Sequence, residues 1–523
     1  MGQFKLLLYF FFVAFFVVSC HKKELSNPNK NLTLEDFSGL RTSDYMFSQS
    51  RIQDEIARLV RADKDSMASD YKVKNYYANG GKFLWIDRLG LDARADTAVA
   101  RLTEVSRIGF STRQFRLSQI TEDLDRMRSL RFDTVQNSAS YVMARLEYNL
   151  TKAYLRYAFG QRFGFVNPYK ALNKLDVRDS DSLHVSYRTL FYQPMQHADK
   201  QFYASAFRKI KNDSVGEFLH EVEPQDSLYL RLRSLLNEAD EAQGARFSRT
   251  ALLVNMERCR WRLHDNPYRH KKYVLVNIPS FQLKAVDGDS LLVMRIGCGT
   301  FSTKTPLLFG QLSRMDVNPQ WIIPRSIIKK SIAYHVGDTA YFMRHNYFVR
   351  HRKTGREVPL EQVTTAMLGS PEYLVIQRGG EGNSLGRIIF RFSNPFSIYL
   401  HDTSSKGFFG RENRGVSHGC IRVEKPLELA IFLLPEKKQG LIDKIAYSMR
   451  ADVSGIRRGK IVNPAAAKSL DRSKLVGSVP LEPTTPVFIV YYTLYPDAAG
   501  KLHSFADVYG YDRVIHRYLE NYL

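Results

Sequence analysis

The spacing of hydrophobic positions changes near residue 270 and divides the sequence into two regions. From about Leu34 to Leu263, apolar residues recur every three or four positions, as on one face of a helix. Two runs that show this spacing are Ile52, Ile56, Leu59 and Val60, and Leu146, Leu150, Ala153 and Tyr154. Breaks are predicted near Pro168 and Pro224, because proline interrupts a helix. We predict a helical scaffold domain over residues 34–263.

After Lys272, apolar residues follow one another or alternate with polar ones, which is typical of β-strands. The segments 281–286 and 291–296 flank Asp287-Gly288-Asp289, a turn sequence that predicts a hairpin. Other predicted strands are Tyr273–Ile278, Tyr373–Gln377, Arg387–Phe392, Ser397–Leu400 and Val487–Leu494. Residues 272–523 are therefore predicted to form a β-rich domain, and the whole chain an α+β protein.

The strand pattern lapses between Ser326 and Pro371, in a segment rich in histidine, arginine and tyrosine. A helix is predicted at Leu360–Met367. Insertions of this kind either gate an active site or have no role in it. We call residues 326–371 the lid and favour the gating role.

The N-terminus has the pattern of an export signal. Lys5 precedes an apolar run from Leu6 to Val18, which is too short for an ordinary transmembrane helix. Val17-Val18-Ser19-Cys20 resembles a bacterial lipoprotein box, in which the cysteine becomes the lipidated N-terminus. We predict a signal peptide over residues 1–19 and a tether over residues 20–33, with lipid on Cys20 holding the protein to a membrane. The alternatives are a plain cleaved signal or an uncleaved anchor, with Cys20 incidental.

A cysteine beside a glycine and two histidines suggests nucleophilic chemistry. The segment from Tyr399 contains His401-Asp402 and, further on, Ser417-His418-Gly419-Cys420-Ile421-Arg422. A free thiol is mostly protonated at neutral pH, and a neighbouring imidazole or cation converts it to the reactive thiolate. A cysteine, a histidine base and an orienting group are the components of acyl transfer. Spacing alone does not decide which histidine is the base.

The spacing of these residues resembles the signature of the YkuD-type L,D-transpeptidase catalytic domain: a histidine, about fifteen residues, Ser/Thr-His-Gly-Cys, and Arg or Asn two positions on. Flanking segments resemble the larger, periplasmic YcbB-like branch of this family. They are Asn277–Phe281, Asn318–Trp321, Ile323-Pro324, Gly382–Gly386, Asn394-Pro395 and, at the entry to the catalytic domain, Leu253–Trp261. The resemblance is dense in the catalytic part and sparse before about Leu252. Many members of this branch carry a small peptidoglycan-binding module ahead of the catalytic domain. We predict no such module in this sequence.

The resemblance implies roles for individual residues. Cys420 is expected to be the nucleophile and His401 the base, with the backbone carbonyl of Asp402 orienting the ring. His418 is expected to shape the nucleophile loop, and Gly419 and the Cys420 amide to help form an oxyanion hole. Arg422 is expected either to bind a substrate carboxylate or to fix the loop by hydrogen bonds. Tyr399 and Ser417 are expected to support the site.

The resemblance also implies a reaction. The thiol attacks a peptidoglycan tetrapeptide, releases D-alanine, and the resulting thioester is resolved by a stem amine into a 3→3 cross-link. Resolution by water, a free D-amino acid or a protein amine remains open, as does a non-catalytic wall-binding lipoprotein. The expected location is the periplasmic side of the cell envelope.

Composition and charge change this picture little. The chain has 523 residues and a formal net charge of +23. No nucleic-acid partner is expected for an exported protein, so anionic lipid, cell-wall carboxylates or simple solvation accounts for the charge. Cys259 and Cys298 form either a disulfide or two buried thiols, and we favour thiols. No C-x-x-C pair exists, and no metal or nucleotide cofactor is predicted. The segment 379–386 lacks the endings of phosphate-binding loops and is predicted to be a turn between strands.

Overall fold

The structure is a computed structural model that describes most of the chain after residue 47. The residues described are 48–87, 90–91, 93–132, 135–180, 185–241, 246–454, 456–457, 460–461, 468 and 470–523. The predicted signal peptide, Cys20 and the tether lie outside them. Within the described ranges, no helix combines the length and the apolar character needed to cross a membrane. The chain divides into two compact units, of which the first comprises Met1–Ser106, Phe110–Phe159 and Asp199–Val222, and the second Arg107–Gly109, Gly160–Ala198 and Glu223–Leu523.

Helices dominate the chain before residue 263, as the spacing of apolar residues predicts. In chain order they are α1 (Gln49–Ala62), α2 (Ala68–Ala78), α3 (Ala93–Thr103), α4 (Leu117–Ser129), α5 (Ala139–Phe163), α6 (Pro168–Leu172), α7 (Lys200–Lys211), α8 (Val215–Glu221), α9 (Ser227–Glu241) and α10 (Arg249–Arg260). The break predicted near Pro168 falls between α5 and α6, and the break predicted near Pro224 falls between α8 and α9. Pro168 is the first residue of α6, where a missing N–H costs no helical hydrogen bond.

A buried carboxylate on α5 organises the first unit. Glu147 accepts hydrogen bonds from the backbone N–H groups of Leu84, Trp85 and Ile86 and from the hydroxyl of Tyr77. Its side chain is fully buried, so these donors replace the water that the carboxylate loses. The network fixes the segment after α2 against α5.

The region before residue 263 also contains short strands, which the helical interpretation did not predict. They are β1 (Ile86–Asp87), β2 (Gly90–Leu91), β3 (Val177–Ser180), β4 (Val185–Tyr187) and β5 (Phe191–Tyr192). Within the second unit, Phe191 of β5 pairs with Leu307 of the catalytic sheet. A two-residue strand carries no periodic signal of its own, so only its partner defines it. The α+β class is nevertheless confirmed.

The β-rich part of the second unit is one sheet that closes on itself. Its strands are β6 (Lys272–Asn277), β7 (Gln282–Asp287), β8 (Ser290–Gly299), β9 (Leu307–Val317), β14 (Ile388–Phe392), β15 (Leu400–His401), β16 (Gly415–Ser417), β17 (Ile421–Val423) and β20 (Ser478–Val490). They are ordered β14-β15-β17-β8-β7-β6-β20-β9-β5, and β14 also pairs with β9. The predicted hairpin is β7–β8, with Gly288 at a positive φ of 58° in its turn. Sheet closure places β15 and β17, which hold the motif residues, side by side.

The remaining elements are helices and short strands around this sheet. They are α14 (Pro426–Leu433), α15 (Gln439–Arg450), α16 (Tyr511–Leu519), β18 (Ile456–Arg457), β19 (Lys460–Ile461), β21 (Leu494–Pro496) and β22 (Leu502–Ser504). The segment 379–386 connects two strands, as predicted. Cys259 and Cys298 are free thiols.

The lid is a folded subdomain with its own core, and the prediction that β structure lapses there is wrong. The lid and the segments that flank it form β10 (Trp321–Ile322), α11 (Arg325–Ile327), α12 (Thr339–Arg344), β11 (Tyr347–His351), β12 (Glu357–Val358), α13 (Thr365–Gly369) and β13 (Tyr373–Gln377). The strands form a sheet with the order β10-β13-β11-β12. The buried core consists of Ile323, Ile328, Ile332, Phe342, Val349, Val363, Leu368 and Val375. Charged residues interrupt the apolar pattern of β11 and β12, which hides both strands in the sequence.

Two further boundaries differ from the prediction. The expected strand Ser397–Leu400 is limited to β15, because Ser397 has a positive φ of 54°. The side chain of Asn394 accepts hydrogen bonds from the N–H groups of Phe396 and Ile398 and so holds the chain in a turn. The predicted helix Leu360–Met367 is a 3₁₀ turn followed by α13.

Candidate active site

His401 and Arg422 lie on two neighbouring parallel strands, β15 and β17, and Tyr399 and Cys420 directly precede these strands. Leu400 pairs with Ile421, and His401 pairs with Arg422. Side chains two positions apart in an extended chain point to the same face. Tyr399 and His401 from one segment therefore accompany Cys420 and Arg422 from the other, and all four line a single cavity. His401 and Cys420 are about twenty residues apart in the sequence, and the strand pairing brings them to within about the distance between two neighbouring strands.

The nucleophile loop is closed by a serine hydroxyl. Ser417 Oγ accepts a hydrogen bond from the N–H of Gly419 at 3.0 Å and donates one to the carbonyl of Cys420 at 2.6 Å. Gly419 has a φ of +122°, and a Cβ there would lie 3.1 Å from Ile398 Cδ1. Only glycine adopts this conformation without strain. The sequence Ser-His-Gly-Cys thus makes a tight turn that presents the thiol.

Two threonines that the sequence interpretation missed hold this turn from the other side. Thr303 Oγ1 donates to the carbonyl of Ser417 at 2.7 Å. Thr305 Oγ1 donates to the carbonyl of Gly419 at 2.8 Å and accepts the N–H of Gly299 at 2.9 Å. In the sequence, these threonines are visible only as part of a run of hydroxyl-bearing residues after β8. The carbonyl groups that they bind lie 114 positions away.

Tyr509 fixes the segment from Gly299 to Thr305, which in turn holds the nucleophile loop. Its hydroxyl donates to the carbonyl of Gly299 at 2.8 Å and accepts the N–H of Thr305 at 3.1 Å. Tyr509 is buried, so both hydrogen bonds are shielded from water. A residue near the C-terminus thereby fixes the segment that holds the nucleophile loop.

The ring of His401 is oriented by a backbone carbonyl. Its Nδ1 makes a short hydrogen bond to the carbonyl oxygen of Asp402. With the proton on Nδ1, the free lone pair lies on Nε2, the atom able to accept a proton. The Asp402 carboxylate accepts the N–H of Arg387 at 2.8 Å and packs against Gly386, where a Cβ would lie 2.5 Å from it. Asp402 is therefore held from both its backbone and its side chain.

Burial controls the charge of the base and the thiol. It lowers the pKa of His401 to about 4, an effect that the nearby Arg422 cation reinforces and the Asp402 and Leu385 carbonyls oppose. Burial raises the pKa of Cys420 to about 11, against hydrogen bonding from Tyr399 and the charge of Arg422. At neutral pH the imidazole is unprotonated and the thiol protonated. The resting pair is therefore neutral, and an unprotonated imidazole is able to accept a proton.

The amide of Cys420, rather than that of Gly419, is the loop donor available to an oxyanion. The Gly419 N–H is engaged by Ser417 Oγ, contrary to a role in the oxyanion hole. Among the described residues, the Cys420 N–H donates no hydrogen bond to a backbone carbonyl. A donor aimed at developing negative charge is a common source of transition-state stabilisation.

His418 and Arg422 both line this cavity but differ in their exposure to solvent. His418 is exposed, and its pKa is lowered by partial burial and by the cations Lys330 and Arg422. Arg422 is half-buried, and its Nε is buried without a hydrogen-bond partner in the described part of the chain. The two expected roles of Arg422, binding a substrate carboxylate or fixing the loop by hydrogen bonds, stay predictions.

The cavity has a volume of about 890 Å3 and is bounded by the lid on one side and the catalytic sheet on the other. The lid contributes Ser326, Ile327, Ile328, Ser331, Tyr347 and Arg352 to the lining, and the segments that flank it contribute 320–325 and 373–375. In the described ranges, no group of three or more histidine, cysteine or acidic residues is placed to hold a metal ion.

Comparison with known proteins agrees with this geometry. Residues 271–473 match the model of the YkuD L,D-transpeptidase catalytic domain, and residues 71–236 match that of the scaffold domain. A protein of Haemophilus influenzae named "Putative L,D-transpeptidase" is 32% identical over 244 residues, which cover 46% of this chain and 45% of that protein. The chain thus spans less than half the length of this relative. The chain thus contains a scaffold domain followed by a YkuD-type L,D-transpeptidase catalytic domain, which is the YcbB-like architecture.

Proposed function

We propose that this protein is a peptidoglycan L,D-transpeptidase that works through a Cys420 acyl-enzyme with His401 as its base. The observation that carries the proposal is that His401 on β15 and Cys420, directly before the neighbouring parallel strand β17, line the same cavity beneath the lid. The carbonyl of Asp402 leaves His401 Nε2 free to accept a proton.

Acylation begins from the neutral pair. As Cys420 Sγ attacks the carbonyl of the L-centre that precedes D-alanine in a tetrapeptide stem, its proton passes to His401 Nε2. The Cys420 N–H stabilises the oxyanion of the tetrahedral intermediate. The C–N bond then breaks, the imidazolium returns the proton to the departing amine of D-alanine, and a thioester remains.

Deacylation repeats these steps with a second substrate. The amine of diaminopimelate in a neighbouring stem attacks the thioester, and His401 takes a proton from this amine. The C–S bond breaks, and the leaving thiolate is protonated by the imidazolium. The product is a 3→3 cross-link, and the enzyme is regenerated without any cofactor.

The envelope is the proposed location. The apolar run after Lys5 and the lipoprotein-like box ending at Cys20 favour export and lipid attachment on the periplasmic side. Stem peptides carry carboxylates, which suits a chain with a net charge of +23. A palmitate-labelling experiment with a Cys20→Ala variant tests this: loss of label and release from membranes support the anchor, and unchanged membrane association contradicts it.

The activity is tested with disaccharide-tetrapeptides and the full chain in detergent, read by mass spectrometry. Cys420→Ala and His401→Ala serve as inactive controls. A dimer that has lost one D-alanine, absent in both variants, supports the transpeptidase. Loss of D-alanine without a dimer indicates an L,D-carboxypeptidase. Absence of any product, together with no carbapenem adduct on Cys420, leaves a non-catalytic wall-binding lipoprotein.

A further inference from the structure

Exposed apolar side chains are concentrated on β3 and β4 and on two segments next to them. They are Val177, Val185, Tyr187, Tyr192 and Phe301, and each is between 41% and 65% exposed. Val177 pairs with Tyr187 across the two strands, and Val185 lies two positions before Tyr187, so these three side chains share one face. We call the five residues the hairpin surface. Apolar side chains gathered in this way mark a binding surface, whereas single ones do not.

An ion pair and two hydrogen bonds hold Phe301 beside the start of β3. Lys304 Nζ lies 4.1 Å from the centroid of the Phe301 ring and 2.7 Å from the carboxylate of Asp176, the residue before β3. Arg188, which directly follows β4, donates its N–H to the Asp176 carbonyl at 2.9 Å and its Nη1 to the Ser302 carbonyl at 2.7 Å. The ring of Phe301 therefore adjoins the two strands.

The hairpin surface continues into the cavity that contains Cys420. The ring of Tyr192 packs edge-to-face against that of Phe396, with 5.3 Å between their centroids, and Phe396 lines the cavity. The next residue, Ser397, accepts a hydrogen bond from Cys420 Sγ through its carbonyl oxygen, at 3.7 Å. A ligand that lies across Tyr192 is therefore beside the segment that contacts the thiol.

The chemistry of this surface suits a saccharide. Among the described residues, the hydroxyl groups of Tyr187 and Tyr192 have no hydrogen-bond partner. A pyranose ring has apolar C–H faces, which stack on aromatic rings, and polar groups at its edge, which bond to such hydroxyls. A lipid layer or a dry protein interface would remove water from the two hydroxyls without replacing it, which is costly. In the proposed reaction, the available saccharide is the glycan strand to which the stem peptides are attached.

We propose that the hairpin surface binds the glycan strand of peptidoglycan, with N-acetylhexosamine rings stacked on Tyr187, Tyr192 and Phe301. The inference rests on the proposed function, which supplies this polymer as the substrate. Because the surface continues into the cavity at Phe396, a strand held there presents its stem peptides next to Cys420. The hairpin surface thus provides polymer binding in a chain for which no separate binding module is predicted.

The first test uses the unaltered full chain in detergent and glycan strands whose stem peptides have been removed with an amidase. Exposed tyrosines are nitrated with tetranitromethane, and the rate at each one is read by mass spectrometry. We expect near-saturating strands to slow nitration of Tyr187 and Tyr192 by about tenfold. Tyr71 is the internal control, because it is 54% exposed on α2, outside the surface. Equal slowing at all three tyrosines, or at none, overturns the saccharide site.

The second test compares variants by their affinity for the same stripped strands. The double variant Tyr187→Ala, Phe301→Ala loses two stacking contacts, and its dissociation constant should rise about tenfold. Tyr187→Phe keeps the ring and should lose less than about threefold. The matched control is the double variant Tyr71→Ala, Tyr518→Ala, which removes two exposed rings elsewhere and should bind normally. Unchanged affinity in the first double variant, with a native circular dichroism spectrum, overturns the proposal.

Other occupants of the surface have their own signatures in the nitration experiment. Protection of Tyr187 that needs no glycan, and appears when the chain is reconstituted in vesicles containing phosphatidylglycerol, would identify a membrane. Protection that grows with protein concentration would identify a second copy of the chain. Either result overturns the saccharide site. Protection by glycan without cross-linking of disaccharide-tetrapeptides would reject the proposed function alone, and cross-linking without protection would reject the hairpin surface alone.

Discussion

His401 stands directly opposite Arg422 in the parallel pairing of β15 with β17. The strand register thus places a fixed cation beside the base. Together with burial, which is the larger cause, this cation lowers the pKa of the imidazole to about 4. Burial raises the pKa of Cys420 to about 11, because it disfavours the thiolate. The two groups stay neutral over the whole physiological range.

The pH dependence of labelling follows from these values. Thiolate is the reactive form, so iodoacetamide labelling of Cys420 should rise about tenfold per pH unit between roughly pH 7 and 10. Acylation by stem peptide should fall only as the pH drops toward about 4, where His401 becomes protonated. Stopped-flow labelling and single-turnover acylation measure the two profiles. A labelling rate that is already at its plateau at neutral pH would show a thiolate–imidazolium pair and contradict this account.

Gly419→Ala should slow acylation by about tenfold or more. The substitution forces a side chain into a φ of +122° and against Ile398, a strain of about 1–3 kcal/mol in the nucleophile turn. Gly407→Ala is the matched control, because a Cβ there has no neighbour within 4 Å. The rate of carbapenem adduct formation on Cys420 measures both variants. Equal slowing in the two would mean that the turn conformation does not matter.

Thr305 is expected to act as a positioning residue. Thr305→Val keeps the shape but leaves the Gly419 carbonyl and the Gly299 N–H without their partner, which costs about 1–3 kcal/mol of unfolding free energy. Because Thr305 acts only through the nucleophile loop, kcat should fall while KM stays nearly constant.

Thr305→Ser is the control for this effect. It retains the hydroxyl and should recover most of the lost kcat. Chemical denaturation and steady-state kinetics on the three proteins separate the two effects. If kcat in Thr305→Val falls only in proportion to the unfolded fraction, the residue is merely structural.

Destabilising the lid should slow turnover of the substrate without preventing alkylation of Cys420. Phe342 is buried in the lid core, and Phe342→Ala removes contacts worth about 3–5 kcal/mol. We expect earlier proteolysis within residues 326–371 and slower turnover of disaccharide-tetrapeptide, while iodoacetamide still labels Cys420. Met343→Ala is the control, since Met343 is 61% exposed on the same helix. Full turnover by Phe342→Ala with a cleaved lid would show that the lid does not help to bind the donor.

The sequence by itself determined the features that depend on local pattern. Helical spacing before residue 263, strand patterns after Lys272 and the turn at Gly288 each arise from neighbouring residues. The spacing from His401 to Cys420 identified the family because this motif is continuous in the chain. These properties need no knowledge of distant contacts.

Tertiary structure alone decided the rest. Thr305 and Tyr509 hold the nucleophile loop from positions far away in the chain, and β5 exists only because Leu307 offers it a partner. The shifted pKa values of His401 and Cys420 come from burial, and the unpaired state of Arg422 from the arrangement of a whole cavity. Each of these depends on contacts between segments separated by tens to hundreds of residues, and a pattern of neighbouring residues does not contain them.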